Sequence, residues 1–283
     1  MVIAGFDMTS SYVIMCGMPN ENYLAVAEEA ALKAGKLLMS SYGKLKNSQI
    51  HVKSKNDFVT ELDKKSEKLI ISAIKRSFPK HSIQGEESGL AKGAGALWIV
   101  DPLDGTANYI HQFPMFSVSI GVMAGGALQA GVVYDPVHRE LFSSARGKGA
   151  YLNKKRFQVS KINRLSDAFM ATGIPFRARN RFGEYMSSFR KISLASAGMR
   201  RGGSAALDLA YVACGRLDGF WEINLSPWDI AAGALLIQEA GGKVTDLWGR
   251  ADYLQNGDIL ASNGKIHAQI HAVTAKTISR RNP

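Results

Sequence analysis

The sequence predicts a layered α+β and α/β protein, with a first half built on an antiparallel sheet and a second half of alternating strands and helices. Three observations lead to that prediction. Two helical patterns stand near the start, between about residues 20 and 78. A series of short β-rich segments comes next, joined by turns containing Gly and Pro. From about residue 162 strand-like segments alternate with helical ones, as in α/β organisation. The 283 residues, 46% of them hydrophobic, suffice for one domain or for two fused layers.

The first helix is expected over residues 20–42. Asn20 suits an N-cap, Leu24, Ala27, Ala31, Ala34 and Leu38 share one face, and Gly43 stops it. The second is expected over residues 60–78, with Leu62, Leu69, Ile70, Ala73 and Ile74 apolar and Pro79 ending it. Strands are expected at 98–100, 116–123, 127–134, 140–144 and 150–152. Gly125-Gly126 forms the hairpin between the second and third. The second half reads as a strand at 168–172, a helix at 182–194, and a helix at 204–214 capped by Ser204 and stopped by Gly215. A strand at 220–223 then leads to a helix at 227–240, with Ser226 as N-cap and Pro227 at its first position. Residues 1–19 read as a disordered leader, 20–155 as the first half and 156–283 as the second. The boundary is a seam within one compact unit, since no linker or low-complexity segment separates the halves.

Composition excludes several classes. No apolar run approaches the ~20 residues needed to cross a membrane. Two cysteines, Cys16 and Cys214, cannot build a disulfide framework, which fits a reducing cytoplasm. The net charge of +11 serves solubility or attracts anions: phosphorylated substrates, RNA or an acidic partner. No nucleic-acid motif accompanies it. The six histidines show no ligand spacing, so no zinc site is expected.

The most informative stretch is Trp98-Ile99-Val100-Asp101-Pro102-Leu103-Asp104-Gly105-Thr106. A buried strand is expected to end at Pro102, with a carboxylate on either side. Gly105 lets the backbone approach a ligand, and Thr106 can cap the next helical turn. Two acids and a row of free amides suit a hard cation beside a phosphate, although Asp and Gly are also ordinary turn residues. Gly85-Glu86-Glu87-Ser88 lies upstream and Pro227-Trp228-Asp229-Ile230-Ala231 downstream.

Together these three segments resemble the inositol monophosphatase family of magnesium-dependent, lithium-sensitive phosphatases. The signature is Asp-Pro-aliphatic-Asp-Gly-Thr and, later in the chain, Trp-Asp-aliphatic-Ala, and the likeness extends from about Asn20 to Gly264. The resemblance implies an αβαβα sandwich, the sugar-phosphatase fold of that family. It implies two to three Mg²⁺ ions held by Glu86, Asp101, the Leu103 carbonyl, Asp104 and Asp229, with Asp101 bridging two of them. It further implies that Thr106, paired with Asp63, positions or deprotonates the attacking water beside Glu86. The amides of Gly105 and Thr106, together with Lys53, would bind phosphate. Asp104, Gly203, Ser204, Ala205 and Glu222 would face the polyol.

Each residue also fits a plainer role. Asp63 stands where a capping box would close on Thr60. Glu86 could belong to a solvated turn, and Asp229 falls in a helix's first turn, where a carboxylate suits the dipole. Glu222 could simply end a strand. Lys55 rivals Lys53, because one residue is missing between Lys53 and Asp63 relative to the family spacing. Ala107 replaces a frequent Thr. The segments 200–210 and 217–222 look most like the bacterial SuhB-type branch. That branch implies a homodimer, inositol 1-phosphate as substrate, and association with an RNA polymerase antitermination complex in ribosomal RNA transcription. Fructose 1,6-bisphosphate and other sugar phosphates are rival substrates.

Overall fold

The computed structural model describes residues 22–45, 48, 50–54, 57–175 and 178–280; for residues 51–54 and 57–58 it describes backbone only. The leader expected at 1–19 lies outside the described residues. Helix α1 (Tyr23–Ser41) opens the fold, and its cap is Asn22, whose side chain accepts from the Ala25 amide at 3.1 Å. The cap therefore falls two residues later than expected, and Asn20 lies outside the described residues. A two-stranded hairpin, β1 (Ile50–Ser54) and β2 (Asp57–Thr60), feeds helix α2 (Glu61–Ser77). Thr60 and Asp63 close a capping box there, as the spacing predicted.

An eight-stranded sheet comes next. It is made of β3 (Ser82–Gly85), β4 (Gly89–Ala91), β5 (Leu97–Asp104), β6 (Ser117–Ala124), β7 (Ala127–Asp135), β8 (Glu140–Ala145), β9 (Gly149–Leu152) and β10 (Lys155–Phe157). The order is β10-β9-β8-β7-β6-β5-β3-β4, and the only parallel pair among these is β3 with β5. Gly125 and Gly126, both at positive φ, make the β6–β7 hairpin. Pro102 does not end β5, contrary to expectation. The strand continues to Asp104, with a register shift against β6 between Asp101 and Asp104. An irregularity is where a strand tolerates a residue without an N–H. A short helix α3 (Thr106–Ile110) leaves the end of β5.

The second half carries β11 (Phe169–Thr172), α4 (Phe182–Ala195), β12 (Gly198–Arg200), α5 (Ala205–Ala213), β13 (Gly219–Glu222), α6 (Pro227–Glu239), β14 (Lys243–Thr245), α7 (Tyr253–Asn256), β15 (Ile259–Ser262) and α8 (His267–Thr277). Its five-stranded sheet has the order β12-β11-β13-β15-β14. The alternation of strand and helix suggested α/β pairing throughout, but the sheet is mixed. β11 pairs parallel to β12 and β13, whereas β15 runs antiparallel to β13 and β14.

These elements stack as helix, sheet, helix, sheet, helix. The pair α1/α2 covers one face of the large sheet, α5 and α6 lie between the two sheets, and α4 and α8 cover the outer face of the small one. Three apolar clusters fill the interfaces, and Trp98, Trp221 and Phe220 are fully buried in them. Helix α6 seats closely on the large sheet because Gly121 and Gly131 leave room for Ala231 and Ala232; a Cβ at either glycine would come within 2.8 Å of them. That close seating carries the start of α6, and with it Asp229, to the end of β5.

Candidate active site

The acids converge where the two sheets meet. Asp101 and Asp104 stand in the last four residues of β5, and Asp229 stands in the first turn of α6. All three are buried, and one oxygen from each lies within 4.8 Å of the others. Each is anchored locally. Asp101 Oδ1 accepts from the Leu103 amide at 3.0 Å. Asp229 Oδ2 accepts from the Ser226 amide at 2.7 Å, the cap of α6. Asp104 Oδ2 accepts from the Ser204 hydroxyl and from the Ala206 amide at 2.9 Å, at the start of α5. The first strand of the site is thereby tied to a helix about a hundred residues away.

Burial pushes the Asp101 carboxyl well above the usual range, and the charges of Glu86, Asp104 and Asp229 push it the same way. Burial also raises Asp104, to about 6, although hydrogen bonds from Ser204 and Ala206 oppose the rise. Acids gathered so closely resist joint ionisation unless a cation joins them. The donors are hard oxygens, the set that suits Mg²⁺, Mn²⁺ or Ca²⁺. The residues therefore fit a hard divalent cation.

Glu86 comes directly after β3, and its amide donates to the Val100 carbonyl at 3.1 Å, next to Asp101. Thr106 Oγ1 donates to Asp63 Oδ1 and contacts the Leu103 carbonyl, both at 3.0 Å. Asp63 Oδ2 accepts from the Thr60 amide at 2.8 Å and from its hydroxyl at 2.6 Å. Asp63 is fully buried, and that burial lifts its carboxyl to about 6. Gly105 sits at φ 89°, and a Cβ there would lie 3.0 Å from the Met115 carbonyl oxygen and 3.3 Å from that of Gly203, a place and conformation that disfavour a side chain.

A cavity of about 360 Å³ opens over these groups. Glu86, Asp101, Leu103, Asp104, Gly105, Thr106 and Asp229 line it, together with Gly203, Ser204, Ala205 and Glu222. Asp63 lies behind Thr106. Ser204 is fully buried, with its hydroxyl turned to Asp104. Lys53 belongs to β1, but its side chain lies outside the described residues, as does Lys55 altogether.

Several residues of the site were not anticipated. Asn108 donates to the carbonyls of Met115 at 2.7 Å and Gly202 at 2.9 Å, bridging the two halves. Glu67, buried in α2, accepts from the Glu87 amide at 2.9 Å and steadies the Glu86 turn. Gly173 leaves the space that the Glu222 carboxylate occupies, since a Cβ there would lie 1.9 Å from Oε2. Arg201 and Asp208 also line the cavity. Their only sequence signal is a polar residue in an ordinary pattern.

Known proteins share this arrangement of chain. The family model for the inositol monophosphatase family matches residues 19–280. The Nus factor SuhB of Pseudomonas aeruginosa is 46% identical over 248 residues, covering 86% of this chain and 92% of that protein. The inositol-1-monophosphatase of Mesorhizobium japonicum is 42% identical over 266 residues, 93% of this chain and all of that one. Among solved structures, the extragenic suppressor protein suhB of Bartonella henselae superposes with a TM-score of 0.87 at 43% identity, covering 90% of this chain and 98% of that one. An inositol monophosphatase from Anabaena gives 0.80 at 42%, covering 90% and 96%.

Proposed function

Since the chain belongs to the inositol monophosphatase family and is a phosphatase-like enzyme, we propose that it hydrolyses inositol 1-phosphate to inositol and phosphate with the help of Mg²⁺. The observation that carries this reading is the cluster of Asp101, Asp104 and Asp229 beside the Thr106–Asp63 pair. Glu86, Asp101, the Leu103 carbonyl, Asp104 and Asp229 would hold two to three ions. Bound there, Mg²⁺ would neutralise phosphate oxygens and lower the pKa of a water.

The remaining roles fall to the chain itself. The Gly105 and Thr106 amides, with Lys53, would take the phosphate oxygens. The Thr106 hydroxyl, whose proton points at Asp63 Oδ1 or the Leu103 carbonyl, would accept the proton of the attacking water while passing its own to Asp63. With a carboxyl lifted to about 6, Asp63 is ionised at neutral pH yet basic enough to hold that proton. Glu222, with the backbone of Gly203 to Ala205, would receive the hydroxyls of the polyol.

Phosphate release from inositol 1-phosphate, with and without Mg²⁺, tests the reading beside fructose 1,6-bisphosphate and adenosine 3′-phosphate. Mg²⁺-dependent turnover of the inositol ester supports it. Turnover of the others alone keeps the chemistry and discards the substrate.

A second reading has its own support. The Pseudomonas relative is called a Nus factor, and this chain is strongly basic. A homodimer that joins an RNA polymerase antitermination complex in the cytoplasm would account for both. Co-purification with RNA polymerase and antitermination factors, and sedimentation of the purified chain, test it; a monomer that captures neither would end it.

A further inference from the structure

Gly173 borders the cavity, and the catalytic reading gives it no part. It follows β11 directly and stands beside Glu222, the last residue of β13, one step beyond the paired Thr172 and Trp221. Glu222 borders the same cavity. The three atoms nearest to a Cβ built on Gly173 are Oε1, Oε2 and the carboxyl carbon of Glu222, all well inside the 3.0 Å that real Cβ atoms keep. The carboxylate therefore rests on the glycine, in the space that a side chain would take. Gly173 is not at positive φ, so its backbone conformation is open to other residues. What keeps a side chain out is the carboxylate.

The backbone on both sides is pinned. Thr172 is fully buried, and its hydroxyl donates to the Trp221 carbonyl at 2.8 Å, which ties the end of β11 to β13. Glu222 is held on the other edge of β13, where it pairs with Ile259 of β15. The part that would yield to a methyl group on Gly173 is the end of the Glu222 side chain, which can turn about its own bonds. We propose that Gly173 is a positioning residue: by having no side chain it gives the Glu222 carboxylate its place at the cavity, and so sets the preference for alcohols that carry hydroxyls. This deepens the phosphomonoesterase reading and rests on it, and on the place given there to Glu222. A carboxylate accepts from a hydroxyl only at about 3 Å or less, so a shift by the width of a methyl group forfeits the bond. An ester without hydroxyls loses nothing by that shift.

Kinetics on two esters test the proposal: inositol 1-phosphate, rich in hydroxyls, and p-nitrophenyl phosphate, which has none outside the phosphate. Gly173→Ala is expected to lower kcat/KM for the inositol ester at least about tenfold more than for the aryl ester, chiefly through KM. The same substitution made on Glu222→Ala is expected to change the ratio of the two esters less than about twofold, since the displaced group is already gone. A merely structural glycine would cost the same in both backgrounds. Equal losses on both esters, no loss on the inositol ester, or an undiminished effect in the Glu222→Ala background would overturn the proposal. Should Gly173→Ala alone not fold, the double variant decides. The vacated space predicts that it folds and matches Glu222→Ala on both esters, and a double variant that does not fold overturns the proposal. Equal losses on both esters in Glu222→Ala itself would remove polyol recognition, and this inference with it, but leave the phosphatase standing. Turnover of neither ester by the wild type would remove the phosphatase reading as well.

Discussion

Replacing Asp63 with Asn separates stability from chemistry. Asp63 is fully buried and accepts three hydrogen bonds, two from Thr60 and one from Thr106. Burial lifts its carboxyl from the ordinary 3.8 to about 6. The folded chain therefore holds the proton more tightly than the unfolded chain. The carboxyl's favourable share of stability is complete below the unfolded value and is lost as pH rises through about 6. A rise of about 2 pH units, at roughly 1.4 kcal/mol per unit, makes that loss about 3 kcal/mol. In Asp63→Asn the amide oxygen keeps both Thr60 bonds, so the helix cap survives. The amide nitrogen turns to Thr106, which then accepts from it and donates to the Leu103 carbonyl. The variant thus avoids burying a charge at pH 8 and should be more stable there by about 1–3 kcal/mol, or about 2–6 °C in Tm. At pH 4.5 the gap should shrink to about a third of that. Both melts are run in EDTA, so that a bound cation contributes nothing. Activity should move the other way: Thr106 loses its proton acceptor, and kcat/KM should fall about 10²- to 10⁴-fold. A variant less stable than wild type at pH 8, or one that keeps full activity, would refute the reasoning.

The same geometry sets three more outcomes. Asp101→Asn should abolish turnover and weaken Mg²⁺ binding measured by calorimetry, because one buried carboxylate is lost from the centre of the cluster; near-normal turnover would remove its bridging role. Glu222→Gln should change the ranking of inositol 1-phosphate against fructose 1,6-bisphosphate more than it changes the rate on the better of them, and an equal loss on both would count against polyol recognition. Mg²⁺ at 100 times its dissociation constant should stabilise the EDTA-stripped chain by about 2.7 kcal/mol in denaturant melts. With the Mg²⁺ concentration held at the value set at pH 8, the gain should be smaller at pH 5, where the protonated acids bind the cation more weakly. No stabilisation at pH 8 would argue against a cation in the acidic cluster.

The sequence announced what local chemistry decides. Helix α2 begins where Thr60 and Asp63 make a capping box, and α6 begins at Ser226-Pro227, because cap signals lie within a few residues of the turn they start. The hairpin at Gly125-Gly126 needed only its two glycines. What long-range pairing decides was not legible. The parallel pairing of β3 with β5, and the antiparallel insertion of β15 between β13 and β14, depend on partners remote in the chain. Pro102 misled for a related reason: its missing N–H matters only if a neighbour asks for it, and the register shift against β6 removes that demand. Site residues divide in the same way. The acids of the 101–106 motif advertised themselves, whereas Asn108 acquires its role from the Gly202 carbonyl 94 residues on, and Gly173 from a carboxylate on another strand.

The plainer roles open at the sequence level turn out not to compete with the site. Asp63 closes the capping box with Oδ2 and meets Thr106 with Oδ1. Asp229 accepts from the Ser226 amide and still has an oxygen within 4.8 Å of Asp101 and Asp104. Asp104 uses Oδ2 at the start of α5 while standing in the same cluster. A carboxylate has two oxygens, and these three residues each tie one to a strand end or helix start. The tie matters because mutually repelling acids would otherwise swing apart or draw protons, and a cation would then have to reassemble them on binding. Anchored by backbone amides, they are held together before any ion arrives. The helix starts that look like ordinary folding signals are therefore the parts of the fold that make the acidic cluster rigid.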